Sequence, residues 1–453
     1  MALRQGAVRL LRPFAAAGEA RSAAYATTAS ANGVPVEVHN EGGSKRVVVT
    51  KPLPGDRWLA ILTAAGCRVE VSQCPDVIQD NATVKKLIGD KCDGVIGQLT
   101  EDWGSELFEA LKAAGGRAYS NYAVGYNNVK VPEASKRGIP VGNTPGVLTE
   151  TTAELAAALT LSAARRVPEA DVFMRAGRYK GWLPTLFVGQ LLQNKTVGIV
   201  GAGRIGAAYA RMMVEGHKMN LIYYDPYPNK GLEEYIRKYG ELLRHSGEAP
   251  VAVRRCETVE EVLREADVVS LHCNLDESTH HLINKARLGM MKPNAVLVNA
   301  ARGPVIDEAA LVDHLRANPE FRTGLDVFEH EPAMAPGLAD MPNAVIVPHI
   351  ASASMWTRSG MATLAAVIWG RAHVDTLGSA RRPPRDLGVP VCCRTCMAGW
   401  PAAARRSWDA HAASRSALRR CHWDPAPILY ELGLTCESAG GACRLAIVCA
   451  ESI

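Results

Sequence analysis

Three polar residues of the chain could act together in one chemical site. Arg302, Glu331 and His349 each lie shortly past an apolar run that is typical of a β-strand. An arginine can bind a carboxylate and a carbonyl oxygen through its planar fork of donors. A histidine can protonate an oxygen on which charge develops, and a neighbouring carboxylate orients its ring and raises its pKa. We therefore predict a site that binds a carboxylate and protonates a carbonyl oxygen, although each residue alone also fits a purely structural role.

A glycine-rich segment indicates a dinucleotide site. Gly201, Gly203 and Gly206 form the pattern G-x-G-x-x-G after a strand-like run and at the start of a helical one. The first glycine permits a tight turn, the second lets the backbone approach a pyrophosphate, and the third lets helix and strand pack closely. Asp225 ends the next apolar run, where an acid binds a ribose and repels a 2′-phosphate. The pattern predicts NAD as cofactor, with NADH preferred over NADPH, although Lys230 nearby could soften that repulsion.

The surrounding elements predict an α/β fold of two Rossmann-like doubly wound domains with a cleft between them. Residues 35–150 alternate strand-like and helical runs, as in a parallel sheet covered by helices. The segment Thr151-Thr152-Ala153-Glu154 resembles a capping box, so we expect a connecting helix to start there. Residues 151–349 hold six strand-like runs, which matches a nucleotide-binding sheet. The predicted strands cover residues 45–49, 67–71, 94–96, 139–141, 196–200, 221–224, 267–271, 295–298, 324–327 and 344–347.

Composition limits the classes of partner. The chain has 453 residues, of which 47% are hydrophobic, and a formal net charge of +5. No apolar run reaches the roughly 20 residues that span a bilayer, and the charge is modest for this length. We therefore predict no membrane and no nucleic acid as partner. The twelve cysteines show no common metal-ligand spacing, so we predict no metal site either.

Both ends of the sequence depart from the α/β pattern. Residues 1–34 are rich in Arg, Ala and Ser and almost free of acids, which is typical of a transit peptide and favours mitochondrial import over a disordered tail. Residues 378–453 change abruptly in composition and lose periodicity, so we expect an atypical, poorly ordered tail or mistranslated sequence there. A cysteine group at residues 392–396 with Cys421 and His422 is attributed to chance.

The order of these motifs resembles the D-isomer-specific 2-hydroxyacid dehydrogenase family. The segments that carry the resemblance are NAARGPVIDE at 299–308, GLDVFEHEP at 324–332 and VPHI at 347–350, after the glycine motif. The resemblance implies that Arg302, Glu331 and His349 are catalytic and that Asp326 contacts the nicotinamide carboxamide. It also implies a small 2-keto acid substrate, a last helix that returns to the first domain over about 350–377, and a homodimer. The further residues that it assigns to the cofactor are Arg204, Ile205, Asn274, Ala300 and His349.

Segments of the first domain make the resemblance more specific. Residues 97–104, 121–128 and 142–150 are similar to plant-type, NADH-dependent, hydroxypyruvate-reducing members of that family. This similarity implies reduction of hydroxypyruvate to D-glycerate and also of glyoxylate to glycolate. It assigns the backbone amides of Val124 and Gly125, together with Arg302, to the substrate.

The same similarity extends to a subunit contact and to location. Residues 181–189 match the subunit-contact region, and an apolar, aromatic stretch suits an interface. Such proteins usually end in a peroxisomal Ser-Lys-Leu, whereas this chain ends Glu451-Ser452-Ile453. A mitochondrial location is therefore preferred here over a peroxisomal or plastid one.

Other functions remain open at this stage. One alternative is another D-2-hydroxyacid dehydrogenase, such as a glyoxylate reductase, a phosphoglycerate dehydrogenase or a formate dehydrogenase, although formate enzymes carry Gln where Glu331 stands. A second is a non-catalytic, NADH-sensing protein resembling corepressors of this fold. A third is a folded but inactive product of a damaged transcript.

Overall fold

The computed structural model describes residues 26–375 and two three-residue strands, Glu437–Ala439 and Ala442–Arg444, which pair antiparallel. Residues 1–25, most of the predicted tail and the cysteine group at 392–396 lie outside the described residues. Residues 26–375 form two seven-stranded sheets, each covered by helices. No helix among the described residues is both long enough and apolar enough to cross a membrane.

The first sheet has the strand order β1-β2-β4-β3-β5-β6-β7. Its members are β1 (Ala26–Ala31), β2 (Val34–His39), β3 (Lys45–Val49), β4 (Cys67–Ser72), β5 (Gly94–Gly97), β6 (Ala118–Asn121) and β7 (Val141–Gly142). The helices are α1 (Arg57–Ala64), α2 (Asn81–Ile88), α3 (Ser105–Ala113) and α4 (Val131–Lys136). Strands β3 to β7 are parallel in the order 2-1-3-4-5, which is the flavodoxin-like form of a doubly wound sheet.

An antiparallel hairpin extends this sheet before the boundary predicted near Val34. Strands β1 and β2 pair from Ala26 to His39 across a two-residue turn at Asn32 and Gly33, whose φ angles are 50° and 87°. Positive φ at both central residues defines the tight turn that Asn-Gly favours in hairpins. Ala26–Ala31 therefore belongs to the first sheet, although it lies inside the segment that composition assigned to a leader.

The second sheet is entirely parallel and has the order β10-β9-β8-β11-β12-β13-β14. Counted within the domain this is 3-2-1-4-5-6-7, the Rossmann order with one added strand. The strands are β8 (Thr196–Val200), β9 (Asn220–Tyr224), β10 (Val253–Arg255), β11 (Val268–Leu271), β12 (Val296–Asn299), β13 (Arg322–Leu325) and β14 (Ala344–Ile346). The sequence predicted six of them and missed the short edge strand β10.

Helices cover both faces of the second sheet and link the domains. They are α5 (Thr149–Ala164), α6 (Val167–Arg175), α7 (Arg204–His217), α8 (Lys230–His245), α9 (Val259–Glu265), α10 (Lys285–Leu288), α11 (Glu308–Ala317) and α12 (Met355–Asp375), with 3₁₀ turns at Gly303–Val305 and Leu338–Asp340. Helix α12 corresponds to the expected return helix, because Ala362, Ala365 and Trp369 are buried in the core of the first domain.

The connecting helix α5 begins two residues earlier than predicted. Its N-cap is Leu148, which makes no side-chain cap, so the predicted capping box at Thr151 is wrong. Thr151 lies within the first turn, and its hydroxyl instead shares a hydrogen bond with the hydroxyl of Thr357 on α12. The two helices that join the domains are thereby tied to each other.

Candidate active site

The glycine loop between β8 and α7 has the form of a dinucleotide cradle. Gly201 has a φ of 95°, and a Cβ there would lie 2.7 Å from the backbone nitrogen of Cys273. A Cβ on Gly206 would lie 2.1 Å from the carbonyl oxygen of Gly201. By contrast, a Cβ on Gly203 would meet nothing within 4 Å, so the backbone there borders open space at the N-terminus of α7. Such a terminus presents unpaired N–H groups that suit a pyrophosphate.

Asp225 lies directly after β9 and is held by the same loop. Its Oδ2 accepts a hydrogen bond from the Ala202 N–H at 2.8 Å, and its Oδ1 accepts one from the Tyr227 N–H at 2.9 Å. The Arg255 guanidinium, at the end of β10, donates to the Asp225 backbone carbonyl oxygen at 3.0 Å, so a cation lies near the end of β9. From the sequence, Lys230 was the expected cation near Asp225. Arg255 was missed because strand β10 was not predicted.

Glu331 and His349 form the pair that the sequence predicted. The His349 Nδ1 lies 2.9 Å from the Glu331 Oε2, so the carboxylate fixes the ring with Nδ1 as donor and leaves Nε2 for another partner. The other carboxylate oxygen accepts the Phe328 N–H at 3.1 Å. Burial disfavours the charge of Glu331, yet the hydrogen bond and charge of His349 outweigh it and lower the pKa of Glu331. Glu331 is therefore held ionised beside the ring.

Asp326 fixes the backbone on which His349 stands. Its two carboxylate oxygens accept the N–H groups of Ile350 at 2.6 Å and of Ala351 at 2.9 Å, and its carbonyl oxygen accepts the His349 N–H at 2.9 Å. The side chain is buried, and burial raises the pKa of Asp326 against the opposing effect of those N–H groups. The resemblance assigned Asp326 to the cofactor, and these contacts add a positioning role that sequence alone did not reveal.

Arg302 meets the first domain at Gly125. A Cβ on Gly125 would lie 1.4 Å from the Arg302 Nη2, so only glycine leaves room for the guanidinium there. The Arg302 Nε also donates to the Asn127 Oδ1 at 3.3 Å. Burial lowers the pKa of Arg302, while the charge of Glu331 opposes that effect. A guanidinium so poorly solvated interacts strongly with an anion that enters the cleft.

The backbone at Val124 and Gly125 is fixed through its carbonyl groups. The Asn143 side chain donates to the Val124 oxygen at 2.8 Å, and the Asn121 side chain donates to the Gly125 oxygen at 2.9 Å. Among the described residues, the N–H groups of Val124 and Gly125 have no acceptor in the protein. Two amides beside a partly buried guanidinium are well suited to a carboxylate. Sequence reasoning named the two amides but missed the asparagines that fix them.

The remaining predicted cofactor residues lie at the same edge of the second sheet. Arg204 and Ile205 open α7, and Ile205 packs against the cores of both domains. Asn274 follows β11, and the buried Ala300 follows β12. The carboxyl ends of parallel strands form the ligand-binding edge of such sheets, so these residues face the cleft region together with Arg302.

The fold and site together define a two-domain, nucleotide-dependent oxidoreductase. Residues 157–351 match the family described as D-isomer specific 2-hydroxyacid dehydrogenase, NAD binding domain. The glycerate dehydrogenase of Cucumis sativus is 66% identical over 334 residues, which are 74% of this chain and 87% of that protein. The glycerate dehydrogenase HPR, peroxisomal, of Arabidopsis thaliana is 65% identical over 74% of this chain and 86% of its own length.

A solved structure has a similar fold. The TT0316 protein of Thermus thermophilus superposes with a TM-score of 0.62 at 38% identity, covering 71% of this chain and 94% of that one. The chain belongs to the D-isomer-specific 2-hydroxyacid dehydrogenase family. It is an NAD-binding oxidoreductase of that family, as its sequence motifs predicted.

The prediction of a mitochondrial location is wrong. The Arabidopsis relative, 65% identical, is named a peroxisomal protein, and none of the related proteins supports mitochondria. The prediction depended on the composition of residues 1–34, and part of that segment, Ala26–Ala31, forms a strand of the first sheet. A composition rich in Ala and Ser was therefore weak support for an import signal.

Proposed function

We propose that this chain reduces hydroxypyruvate to D-glycerate with NADH. One observation carries the proposal: Arg302 of one domain lies against Gly125 of the other, beside two unpaired amides and near the hydrogen-bonded pair of Glu331 and His349. This arrangement offers a site for a carboxylate, a cation for the adjoining carbonyl oxygen and a proton donor. The relatives named glycerate dehydrogenase support the choice of substrate.

Different residues of the chain bind the substrate and transfer the proton. The N–H groups of Val124 and Gly125 bind the substrate carboxylate, and Arg302 binds that carboxylate together with the C2 carbonyl oxygen. The glycine loop would hold a bound dinucleotide by its pyrophosphate, and the nicotinamide of that dinucleotide would supply the hydride for C2. As negative charge grows on the C2 oxygen, His349 donates its proton to that oxygen, and Glu331 stabilises the imidazolium before transfer. The product is a 2-hydroxy acid, and His349 then regains a proton from solvent.

The test is NADH oxidation by the purified full-length chain with hydroxypyruvate, glyoxylate, pyruvate and 3-phosphohydroxypyruvate, compared by kcat/KM. We expect hydroxypyruvate to lead and glyoxylate to follow. His349→Gln should lower kcat by about 10²- to 10⁴-fold, because general acid catalysis contributes that much. His245→Gln is the matched control, since His245 lies on the exposed surface of α8.

Two outcomes would contradict the proposal. Full activity in His349→Gln would remove His349 from the proton step. NADH binding without turnover of any of the four keto acids would favour a non-catalytic NADH-sensing protein or an inactive product instead.

We also propose that Asp225 sets the preference for NADH over NADPH. A 2′-phosphate placed beside the Asp225 carboxylate would meet like charge. Asp225→Asn keeps the size of the side chain and an oxygen acceptor for the N–H group of Ala202 or of Tyr227. We expect this variant to raise the ratio of kcat/KM for NADPH over NADH by about tenfold, a change of about 1.4 kcal/mol.

Arg255 gives this second test an internal check. Its guanidinium donates to the backbone carbonyl oxygen of Asp225, and it would attract a 2′-phosphate bound near that residue once the carboxylate is neutral. Adding Arg255→Gln to Asp225→Asn should therefore reverse most of the gain in NADPH use. An unchanged cofactor ratio in the single variant would show that the ribose is bound elsewhere.

We further propose that the protein is a homodimer. The segment 177–191 and helix α6 carry large exposed apolar side chains, including Trp182 at 80% and Leu191 at 71% exposure. Phe187 of this segment packs edge-on against Phe173 of α6 at 5.2 Å, so the segment and the helix form one surface. An aromatic, apolar surface of this kind is typical of subunit interfaces.

A further inference from the structure

A cluster of two histidines and a glutamate lies outside the residues used by the reaction. The rings of His280 and His281 stack with centroids 4.1 Å apart, in the loop that follows β11. The Nε2 of His281 lies 2.6 Å from the Oε1 of Glu329, in the loop that follows β13. One nitrogen of each histidine and one oxygen of Glu329 all lie within 4.8 Å of one another.

The backbone around the cluster holds two of its members in place. The His281 N–H donates to the Pro304 carbonyl oxygen at 2.8 Å, and Glu329 accepts the Glu308 N–H through its second oxygen at 3.1 Å. Burial opposes the charge of Glu329, yet the hydrogen bond and charge of His281 lower the pKa of this carboxyl. Glu329 is therefore an ionised carboxylate that needs no large movement to act as a ligand.

The third member and a neighbour are accessible. His280 is exposed, so its ring can turn toward the pair without unpacking the core. His330 is also exposed, at 80% of its side chain, and its Nε2 lies 3.9 Å from the Glu329 Oε1. Three imidazoles and one carboxylate are ligand types that Zn²⁺ prefers.

We propose that His280, His281 and Glu329 form a binding site for Zn²⁺ or a similar transition metal ion. Zinc bonds to nitrogen and oxygen at about 2.0 to 2.2 Å, which places two tetrahedral ligand atoms about 3.4 Å apart. The His281 Nε2 and the Glu329 Oε1, now 2.6 Å apart, therefore need to separate slightly, and the exposed His280 needs to turn toward them. The ion takes the place of the proton on the His281 Nε2, and in the neutral ring that proton passes to Nδ1, because a metal-bound imidazole keeps one N–H. Water or His330 completes the coordination shell.

None of the three proposed metal ligands takes part in the proposed reaction, but Glu329 lies on the same loop as Glu331. Glu329 precedes that residue by two positions, so a metal would fasten the loop after β11 to the catalytic loop after β13. The proposal does not depend on the reductase activity, since it concerns ligands that the mechanism does not use. We expect bound Zn²⁺ to raise the thermal midpoint of unfolding, because a ligand that binds only the folded state stabilises it.

The experiment is calorimetric titration of ZnCl₂ into untagged full-length protein stripped with EDTA. Accessible thiols are first blocked with iodoacetamide in the native state, so that cysteines do not compete for the metal. We expect about one Zn²⁺ per chain, with the association constant lowered about tenfold or more in His280→Gln and in His281→Gln. Even outer-shell partners of zinc sites contribute about that much.

His245→Gln is the control and should bind as the wild type does, because His245 lies on α8 far from the cluster in sequence and is exposed. Co²⁺ in place of Zn²⁺ gives a second readout, since its visible absorption reports nitrogen ligands and should weaken in the same two variants. Binding that is equal in all variants, or no binding near one ion per chain, would overturn the proposal. NADH turnover of each metal-free variant, measured in parallel, distinguishes this failure from a failure of the proposed reductase function.

Discussion

His349 occupies a backbone conformation that its residue type disfavours. Its φ is 52°, in the left-handed region, where a side chain with a Cβ costs about 1 to 2 kcal/mol. The carboxylate and the carbonyl oxygen of Asp326 accept the N–H groups of three successive residues from His349 onward, and these bonds hold the conformation. Two acids therefore position His349: Glu331 binds its ring, and Asp326 binds its backbone.

At Gly125 the absence of a side chain determines the position of Arg302. We predict that Gly125→Ala lowers kcat/KM for hydroxypyruvate by about 10²-fold, because its Cβ would lie 1.4 Å from the Arg302 Nη2 and displace the guanidinium. The free energy of unfolding should change little, since the φ of Gly125 is not in the left-handed region. Steady-state kinetics and urea unfolding of the same preparation measure both quantities.

The matched control is Gly104→Ala, where the nearest atom to an added Cβ is the Lys130 Cγ at 3.8 Å. This variant should retain wild-type kinetics. Wild-type kcat/KM in Gly125→Ala would mean that Arg302 does not need its observed position.

The sequence pointed to the residues proposed for the reaction but not to the residues that support them. Residue type and position after strands led to Arg302, Glu331 and His349, and the structure brings Glu331 and His349 within hydrogen-bond distance, while their catalytic roles stay a prediction. The contact of Arg302 with Asn127 joins positions 175 residues apart and depends on how two domains meet. No local sequence pattern predicts a contact between residues so far apart, so only the structure reveals it.

Strand β3 and helix α2 are joined by one arginine. The Arg46 guanidinium donates to the carbonyl oxygens of Leu87, Ile88 and Lys91, which lie at or past the end of α2, and to the Glu70 carboxylate on β4. It thereby satisfies carbonyl groups that a helix end leaves unpaired. Burial disfavours the charge of Glu70, but hydrogen bonds from Arg46 and Arg68 outweigh it and lower the pKa of Glu70.

We predict that Glu70→Gln lowers the free energy of unfolding by about 3 kcal/mol at neutral pH, because it leaves two arginines beside a nearly buried neutral group. The folded-state pKa of Glu70 is depressed, so its stabilising contribution is present above the unfolded value of about 4.3 and is lost as pH falls through the folded-state value. The difference between wild type and variant should therefore shrink as the solution is acidified. Urea unfolding across pH measures it.

Glu109→Gln is the control, since this glutamate is exposed and pairs with Arg137 only at 3.6 Å. Its effect should stay within about 0.5 kcal/mol at every pH. If Glu70→Gln destabilised the protein equally at every pH, the packing of the Glu70 side chain rather than its charge would account for the effect.

Most strands with buried valine or isoleucine were predictable, and most strands without them were not. Strands β3, β4 and β5 match their predicted runs to within one residue, because each holds buried valine or isoleucine. Strand β6 lies inside the sheet but reads Ala-Tyr-Ser-Asn, and it was missed, as was β2. Strand β1 reads Ala-Thr-Thr-Ala-Ser-Ala, which lacks large apolar residues, so composition outweighed the Asn32-Gly33 turn signal. Strand β10 has three residues, two of them arginines, and gains its strand conformation from pairing with β9.

At the scale of the whole molecule, the exposed apolar surface of α6 and segment 177–191 invites a direct test. We predict that Trp182→Glu converts a dimer into a monomer, because a charge in the centre of an apolar interface is left without solvation. Sedimentation velocity or light scattering after gel filtration measures the mass. Val77→Glu, at another exposed apolar position, is the control and should leave the mass unchanged.

A wild-type protein that is monomeric at micromolar concentration would contradict the dimer outright. A dimer that survives Trp182→Glu would place the interface on another surface. The division into two domains was predictable because the motif order separates them, whereas the surface that meets a partner depends on which side chains the fold leaves uncovered.

The bond from Arg302 to Asn127 also has a consequence for ligand binding. It spans the two domains beside the candidate site, so the domains are in contact there before any ligand binds. At 3.3 Å between partly exposed groups the bond is weak and is exchanged easily. A substrate carboxylate, which binds a guanidinium more strongly than an amide oxygen does, can therefore replace Asn127 as the partner of Arg302. The direct contact between the domains is then exchanged for one that passes through the ligand.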